Sequence, residues 1–400
     1  PAVANPVNDP DGTALNPETI DTTKPSFTLE VTPKDGAAHV SIPASILTSL
    51  AGKNAAFFIE IKAPYGSYQV PVHLASLIPG LNEWLANHNL KAEEISFKIT
   101  LTDKTGNKDM QAALASGLPD GKVMGAIVDY RIDILNSMTG KTVGTADRFS
   151  RALTRVIPMP KNMTNIPAPW GAFRYNETTR KFEFVPAKKV QIDGEWYVMI
   201  RSYSNSVYVV AENKASFTDV SEHWGKSFVE LAAAKGLVDG VGGGKYDPNR
   251  KVTRAEFTAM LVRSLGRGAS TDGTSPYDDV KTGSWYDGDV AKAKELGLLK
   301  FVKGNRFKPD QPLTREEMAS MLAAVIALEK LPIAKESVSL AGYKDIGSAD
   351  ASYLEDVRLM VKYRIMEGTG EDTFSPKGET TRAQAAVVFI RMLRQLEWID

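Results

Sequence analysis

The sequence contains no cysteine among its 400 residues. Disulfide bonds, thiolate nucleophiles and cysteine-ligated zinc are therefore excluded. No stretch approaches about 20 consecutive apolar residues, so we expect no membrane insertion. Excess charge is also missing, because 48 basic residues balance 48 acidic ones. General binding to nucleic acid or to anionic membranes relies on surplus lysine and arginine, so neither is expected.

Familiar catalytic signatures are missing as well. The sequence has no Gly-x-Ser-x-Gly and no His-Glu-x-x-His. Residues 240–245 resemble a phosphate loop superficially, but no Ser or Thr follows the lysine and no strand precedes it. The Asp9–Gly12 segment lacks the closing carboxylate of a calcium loop, so we expect a solvated turn. We therefore expect no enzyme, cofactor or metal site, although abundant carboxylates stay compatible with a glycosidase pair.

The length of the chain favours two to four structural units. Residues 1–25 are rich in Pro, Asn, Asp and Thr and are predicted to form a linker or arm. The chain opens without the basic and apolar regions of a signal peptide, so we expect it to begin inside a longer precursor. Residues 26–213 form the next predicted unit. The proline-rich segment 158–169 either separates two lobes of this unit or is a long strand crossover within it.

Residues 26–213 show mostly the period-two alternation of half-buried strands. Two short helices are expected to interrupt them, over 43–50, where Pro43 would be the first helical residue, and over 81–90. The predicted strands are Phe27–Val31, Phe58–Ile61, Ile95–Ile99, Val123–Leu135, Trp170–Tyr175, Lys181–Val185, Trp196–Arg201 and Val207–Val210.

From residue 214 onward, three stretches of the chain are copies of one another. Each begins with an aromatic residue two positions before an aspartate, at Asp219, Asp279 and Asp345. Each later carries Thr-Arg-x-Glu or its Gln variant, with the arginine at 254, 315 and 382. Such repeats pack their apolar faces against one another. We predict repeat 1 over 214–275, repeat 2 over 276–341 and repeat 3 over 342–400, each a helix, a loop and a helix.

The Thr-Arg-x-Glu signature predicts a capping box at the start of each second helix. This accounts for the threonine and the acid but not for the arginine, which falls at the first helical position and opposes the helix dipole there. Two explanations remain open. The arginine and free backbone amides at the helix start form an anion pocket, or the arginine forms a salt bridge with a neighbouring acid, for instance Asp219, Asp279 or Asp345.

These marks together resemble three tandem S-layer homology (SLH) domains, the modules that fasten proteins to Gram-positive cell walls. The resemblance implies an α+β chain, with a β-rich module followed by an all-α pseudo-threefold bundle at the cell wall or S-layer. It also implies grooves between the repeats that bind secondary cell wall polysaccharide through a terminal pyruvylated N-acetylmannosamine. A bidentate arginine suits the carboxylate of the pyruvate ketal. The aspartates would hold sugar hydroxyls or orient the arginines.

Further implied site residues are aromatic or glycine. Trp224, Trp285 and Tyr353 would form the groove wall, with a role as core anchors favoured over sugar stacking. Gly240 and Gly368 occupy the position of the family's groove glycine, where repeat 2 has Phe301 instead. Repeat 3 has Gln384 in place of Glu. These departures predict that Arg254 of repeat 1 is the main ligand residue, with weaker binding through Arg315 or Arg382.

Three functions are compatible with this organisation. The first is a non-catalytic wall-anchored surface protein whose β-rich module acts as a spacer, adhesive or lattice part. The second is an anchored hydrolase whose catalytic part lies upstream or within residues 26–213. The third is an S-layer lattice subunit, for which other surface proteins would be further partners.

Overall fold

The structure is a computed structural model that describes residues 7–8, 14–332 and 337–400. The predicted turn at Asp9–Gly12 lies outside the described residues. The chain divides into two compact units between Asn213 and Lys214. In the described ranges, no helix combines the length and apolar character needed to cross a membrane.

The first unit is dominated by strands. The α-helices in its described residues are α1 (Ala44–Lys53), α2 (Leu74–Leu77), α3 (Leu81–Asn87) and α4 (Lys108–Gly117). Its strands are β1 (Val7–Asn8), β2 (Ala14–Leu15), β3 (Ser26–Glu30), β4 (Ala37–Pro43), β5 (Phe58–Ala63), β6 (Gly66–Pro71), β7 (Ile95–Asp103), β8 (Gly121–Asn136), β9 (Thr142–Thr145), β10 (Arg148–Pro158), β11 (Trp170–Asn176), β12 (Lys181–Val185), β13 (Ala187–Ile192), β14 (Glu195–Ser204) and β15 (Val207–Asn213).

Most strands belong to two sheets. One has the order β13-β14-β10-β6-β5-β3, and the other has the order β12-β11-β15-β8-β7-β4, with β9 beside β8. The β1–β2 pair is separate. Pairing is antiparallel except between β3 and β5, where Ser26 pairs with Phe58. Alternating apolar side chains of both sheets enter one core cluster, as expected for sheets that each bury one face.

The predicted strands are confirmed, because period-two alternation reflects burial of one sheet face. Both predicted helices exist, but Pro43 is not the first helical residue. It ends β4 and caps α1 in an extended conformation with φ −57° and ψ 137°. Residues 159–169 connect β10 of one sheet to β11 of the other and are therefore a crossover between sheets. The predicted arm also contributes to the core, since Ile20 is buried there.

Among the described residues of this unit, the charged side chain of Arg155 is completely buried. Arg155 on β10 is 0% exposed. Its guanidinium donates hydrogen bonds to the carbonyl oxygens of Leu153, Ser202 and Ser204 and to the side-chain oxygens of Tyr68 and Asn205. The rings of Tyr68, Tyr130 and Tyr208 surround its Cζ atom at 4.8, 5.9 and 5.1 Å. This arginine links the two sheets because β10 belongs to one sheet while Tyr130 and Tyr208 belong to the other.

The second unit consists of three helix-loop-helix repeats. Its helices are α5 (Lys226–Ala234), α6 (Arg254–Ser264), α7 (Asp287–Glu295), α8 (Arg315–Leu328), α9 (Leu354–Lys362) and α10 (Arg382–Gln395). Neighbouring helices pair across the repeats: α7 packs on α6, α9 on α8, and α5 on α10. The last pairing joins repeat 3 to repeat 1 and closes the ring.

A triangle of backbone hydrogen bonds marks the centre of this ring. The amide of Val252 donates to the carbonyl of Thr380, that of Thr380 to Leu313, and that of Leu313 to Val252. These residues lie at equivalent positions, each just before the capping threonine of a second helix. The bundle therefore has the expected pseudo-threefold arrangement.

Candidate functional site

The second helix of each repeat begins with the predicted capping box. Thr253, Thr314 and Thr381 each accept the amide hydrogen of the third helical residue, and the side chain of that residue accepts the amide of the threonine. Arg254, Arg315 and Arg382 are the first helical residues, as predicted. The capping box thus fixes all three arginines at the same place in the fold.

The helix starts do not offer free amides to an anion. The amides of Arg254 and Ala255 donate to carbonyl oxygens of Gln311 and Pro309 in repeat 2. Repeats 2 and 3 repeat this pattern with the loops of repeats 3 and 1. Since the threonine takes the third amide, the predicted pocket of free backbone amides is wrong. An anion at these places would have to bind side chains.

Each arginine instead lies at a junction between two repeats. The first junction joins Arg254 of repeat 1 to the loop of repeat 2 that contains Phe301 and Phe307. The second joins Arg315 to the repeat 3 loop with Gly368 and Phe374. The third joins Arg382 to the repeat 1 loop with Gly240 and Tyr246. Residues that were expected to act together within one repeat therefore belong to different junctions.

At the second and third junctions, the arginine donates hydrogen bonds to backbone carbonyls and lies against an aromatic ring, that of Phe374 for Arg315 and that of Tyr246 for Arg382. Arg315 donates from Nε to Phe374 at 2.9 Å and from Nη2 to Glu367 at 2.6 Å. Arg382 makes the equivalent bonds to Tyr246 at 2.8 Å and Asp239 at 2.7 Å. Across the described ranges, neither arginine has a carboxylate within ion-pairing distance, and Nη1 of each has no hydrogen-bond acceptor.

The lack of a counter-ion matters most for Arg315, which is only 5% exposed. Burial lowers the pKa of Arg315 to about 10, although Tyr343 and Asp345 oppose this shift. The side chain still carries its charge at neutral pH. A buried cation without an acidic partner is costly, and an anionic ligand would offset that cost.

The first junction differs in chemistry. Arg254 donates from Nη2 to Glu317 of repeat 2 at 2.7 Å and from Nε to the same carboxylate at 3.3 Å. Nη1 of Arg254 donates a hydrogen bond to the carbonyl oxygen of Phe307. The phenyl ring of Phe301 lies 4.9 Å from the guanidinium carbon. This arginine is already neutralised and covered, so the first junction is the poorest anion site.

The repeated aspartates have a structural role. Both carboxylate oxygens of Asp219 accept backbone amides, from Tyr246 at 2.9 Å and Asp247 at 2.8 Å. Asp279 and Asp345 hold the equivalent amides of repeats 2 and 3. These aspartates are therefore not the partners of the arginines. Among the described residues, the predicted salt bridge to a neighbouring acid forms at Arg254, and its partner is Glu317. Partial burial raises the pKa of Asp219 and Asp345, but these amide hydrogen bonds outweigh it and hold the pKa below the usual value.

Two glycines are required by their own loops. A Cβ on Gly240 would lie 2.8 Å from the ring of Phe217 and 2.9 Å from the carbonyl oxygen of Lys245. A Cβ on Gly368 would lie 2.6 Å from the carbonyl oxygen of Thr373. Packing within the loop thus explains these glycines without a ligand.

The exposed aromatics overturn another expectation. Trp224 is 65% exposed and Trp285 is 66% exposed, so their predicted role as core anchors is wrong. Trp224 lies at the third junction, because its neighbour Gly225 approaches Ala383 of repeat 3. A Cβ added to Gly225 would lie 3.5 Å from the Cβ of Ala383. Trp285 precedes α7, which packs on α6 at the first junction. Exposed indole rings beside a junction are suited to stacking on a sugar.

Tyr353 differs from the tryptophans in being half-buried beside acids. Burial, together with the nearby Glu317 and Glu316, raises the pKa of Tyr353 to about 12. The acid Glu316 is itself 2% exposed and pairs with Lys377 at 2.5 Å. The other two repeats have alanine at this position, so this ion pair distinguishes the second junction from its counterparts.

The ranking of the three arginines also changes. Sequence reasoning favoured Arg254, because repeat 1 has the expected groove glycine. The structure places Gly240 with Arg382 and places Phe301 with Arg254. Glu317 was assigned only a capping role, and its second bond across the junction was missed. A sequence signal existed in the exchange of this acid for Gln384 in repeat 3.

Comparison with known proteins identifies the repeats. Residues 216–258, 276–319 and 342–386 each match the S-layer homology domain. The helical unit of this chain therefore consists of three SLH domains, following a β-rich region. This places the protein among the cell-surface proteins of Gram-positive bacteria that are held at the cell wall.

Relatives of different kinds share this part of the chain. An amylopullulanase of Thermoanaerobacterium thermosulfurigenes is 32% identical over 307 residues, which are 76% of this chain and 16% of that protein. An exoglucanase, XynX, of Acetivibrio thermocellus is 32% identical over 188 residues, 46% of this chain and 17% of that protein. The S-layer protein sap of Bacillus anthracis is 30% identical over 178 residues, 44% and 21% of the two chains. The chain thus spans only about a fifth or less of these relatives.

Proposed function

We propose that the helical unit anchors this protein to the cell wall by binding the pyruvylated end of a secondary cell wall polysaccharide. The ligand would be a terminal N-acetylmannosamine whose pyruvate ketal carries a carboxylate. The observation that carries this proposal is the buried guanidinium of Arg315, which has no acid within ion-pairing distance in the described residues. Arg382 repeats the arrangement at the third junction.

The chemistry of the ligand matches these two places. A guanidinium has five N–H donors in a planar fork. In both arginines, Nε and Nη2 donate to loop carbonyls. The carbonyls hold the fork in position, and Nη1 is left for one carboxylate oxygen. The bond is charge-assisted and partly shielded from water, so it is stronger than an ion pair on an open surface. Trp224 offers a flat apolar surface to a sugar at the third junction.

Sedimentation with Gram-positive cell walls tests the proposal. Walls with native polymer should pellet the protein, and walls whose acid-labile pyruvate ketals have been removed should leave it in the supernatant. The double variant Arg315→Lys with Arg382→Lys keeps both charges but loses the planar fork, so it should pellet less. Equal pelleting with both wall preparations would overturn the role of the pyruvate carboxylate.

We also propose that the β-rich unit is a non-catalytic companion of the anchor, serving as a spacer, adhesive or lattice part. The match to the amylopullulanase is longer than the helical unit, so it includes part of the β-rich unit. Two neighbouring units that recur together in a much larger protein are consistent with an accessory segment. The polar cluster around Arg155 is buried between the sheets of the β-rich unit and is out of reach of a substrate.

Enzymatic relatives favour an anchored hydrolase as the second candidate. Incubation of this chain with soluble starch, xylan and cellulose, followed by an assay for new reducing ends, distinguishes the two. Product formation above a heat-treated control would overturn the non-catalytic assignment. The third candidate, a lattice subunit, predicts that the protein forms ordered sheets in electron micrographs.

A further inference from the structure

One of the positions at which the three junctions differ bears directly on their arginine. This position is the third residue of the second helix, which is Glu256 in repeat 1, Glu317 in repeat 2 and Gln384 in repeat 3. Each side chain caps its own helix. By the threefold relation, each also faces the arginine of the preceding repeat.

Glu317 shows what an acid does there. One carboxylate caps the amide of Thr314 and also binds Nε and Nη2 of Arg254. The guanidinium of Arg254 is consequently turned relative to its counterparts. It donates to Phe307 from Nη1, whereas Arg315 and Arg382 make the equivalent bond from Nε. Glu317 thus occupies the place that a ligand carboxylate would take.

Gln384 stands in the equivalent relation to Arg315. Its Oε1 accepts the amide of Thr381, so the remaining amide nitrogen is a donor. The neutral amide of Gln384 has no second oxygen and no charge with which to neutralise the guanidinium of Arg315. The exchange of Glu for Gln keeps the helix cap and leaves the buried arginine without an internal counter-ion.

Glu256 is an acid, but a cation of its own repeat engages it. Arg250 donates from Nη1 to both oxygens of Glu256, at 3.0 and 3.3 Å. The equivalent residues of the other repeats, Gln311 and Gly378, have no charge. Glu256 is therefore held away from Arg382, while Glu317 has no such local partner and turns to Arg254.

We propose that this third helical position selects the ligand-binding junctions, so that the chain has two carboxylate sites, at Arg315 and Arg382, and an internally blocked one at Arg254. This inference rests on the proposed function and specifies it. Gln384 opens the second junction, and Arg250 opens the third by engaging Glu256. Glu317 and Phe301 close the first.

Calorimetric titration of the whole chain with a disaccharide that ends in pyruvylated N-acetylmannosamine tests the inference. The wild-type protein should bind two molecules. Gln384→Glu should bind one, because the new carboxylate can cap Thr381 and also neutralise Arg315. Arg250→Gln should also bind one, because Glu256 becomes free to turn to Arg382. The disaccharide without the pyruvyl group is the matched ligand control and should bind at least tenfold more weakly.

The opposite change opens the blocked junction. Glu317→Gln combined with Phe301→Gly should raise the number of sites from two to three. The melting temperature of Gln384→Glu should stay close to that of the wild type, since glutamate caps the other two helices. This check separates a blocked site from a damaged fold.

The outcomes separate this inference from the proposed function. Failure of the wild-type protein to bind the pyruvylated disaccharide would overturn both. Pyruvyl-dependent binding with three wild-type sites would overturn the inference alone. The inference would also be overturned if Gln384→Glu kept both sites and its normal melting temperature.

Discussion

Replacement of Arg155 by methionine should destabilise the β-rich unit strongly. Methionine fills the volume of the arginine stem but removes five hydrogen bonds. The pairing of β10 with β14 is irregular between Arg148 and Leu153, and the guanidinium supplies hydrogen-bond donors to carbonyls at this place. The variant leaves those buried acceptors without the donor, at about 1–3 kcal/mol each.

The net effect is smaller than the sum of these losses. Removing a buried charge also removes the cost of its desolvation, which offsets part of the damage. Truncating one member of a buried charged network typically costs about 3–5 kcal/mol. For a unit of this size, that range corresponds to a fall of about 6–20 °C in melting temperature.

Hydrogen exchange measured by mass spectrometry can report this loss for the β-rich unit alone. Peptides from β10 and β14 give the free energy of opening separately from that of the helical unit. Arg151→Met on the same strand is the matched control, since Arg151 is exposed and its loss should change stability by less than about 0.5 kcal/mol. A loss below about 1 kcal/mol for Arg155→Met would refute the reasoning, because the arginine would then only fill space.

Three further predictions concern the helical unit. Asp219 and Asp345 have lowered pKa values in the fold, so the stability they contribute is present above the ordinary aspartate pKa of about 4 and is lost as the pH falls through the folded value. Asp219→Asn should therefore flatten the decline in melting temperature below pH 4, and an unchanged decline would contradict this. Trp224→Ala should weaken wall binding while changing stability by less than about 0.5 kcal/mol, whereas Trp285→Ala, at the blocked junction, should leave sedimentation with walls unchanged. Equal losses of wall binding in both variants would argue against the difference between junctions. Gly240→Ala should destabilise the unit by about 1–3 kcal/mol in urea unfolding, because its Cβ would approach a loop carbonyl to 2.9 Å, and neutrality would show that the loop relaxes at little cost.

Local sequence patterns predicted most of the elements of this chain. Alternation of apolar residues located eight strands between Phe27 and Val210, because a half-buried sheet imposes that period on the side chains. It did not locate β4, β6, β9, β10 or β13. Helical spacing and the Thr-Arg-x-Glu signature located the starts of α6, α8 and α10, because capping depends on residues three positions apart. Pro43 was misplaced by one residue, since proline suits both the end of a strand and the start of a helix.

The repeats and their likeness to SLH domains could also be established from the sequence. The aspartates show the limit of that approach. Asp219, Asp279 and Asp345 were expected to contact a sugar or an arginine, but each holds backbone amides some 27 to 30 residues later in its own repeat. No local pattern distinguishes a carboxylate that binds a backbone from one that binds a ligand.

Only the tertiary structure decided which residues meet at each junction. The ring closes by pairing each second helix with the following repeat, so Arg254 meets Phe301 and Glu317 while Gly240 meets Arg382. Sequence comparison aligned the copies with one another and grouped residues within each copy, although the contacts cross from one copy to the next. The sequence by itself determined the three helix starts and their arginines, because capping is local. The availability of Arg254, for example, depends on Phe301 and Glu317, which are 47 and 63 residues away in the chain. Only the closed threefold packing brings such partners together.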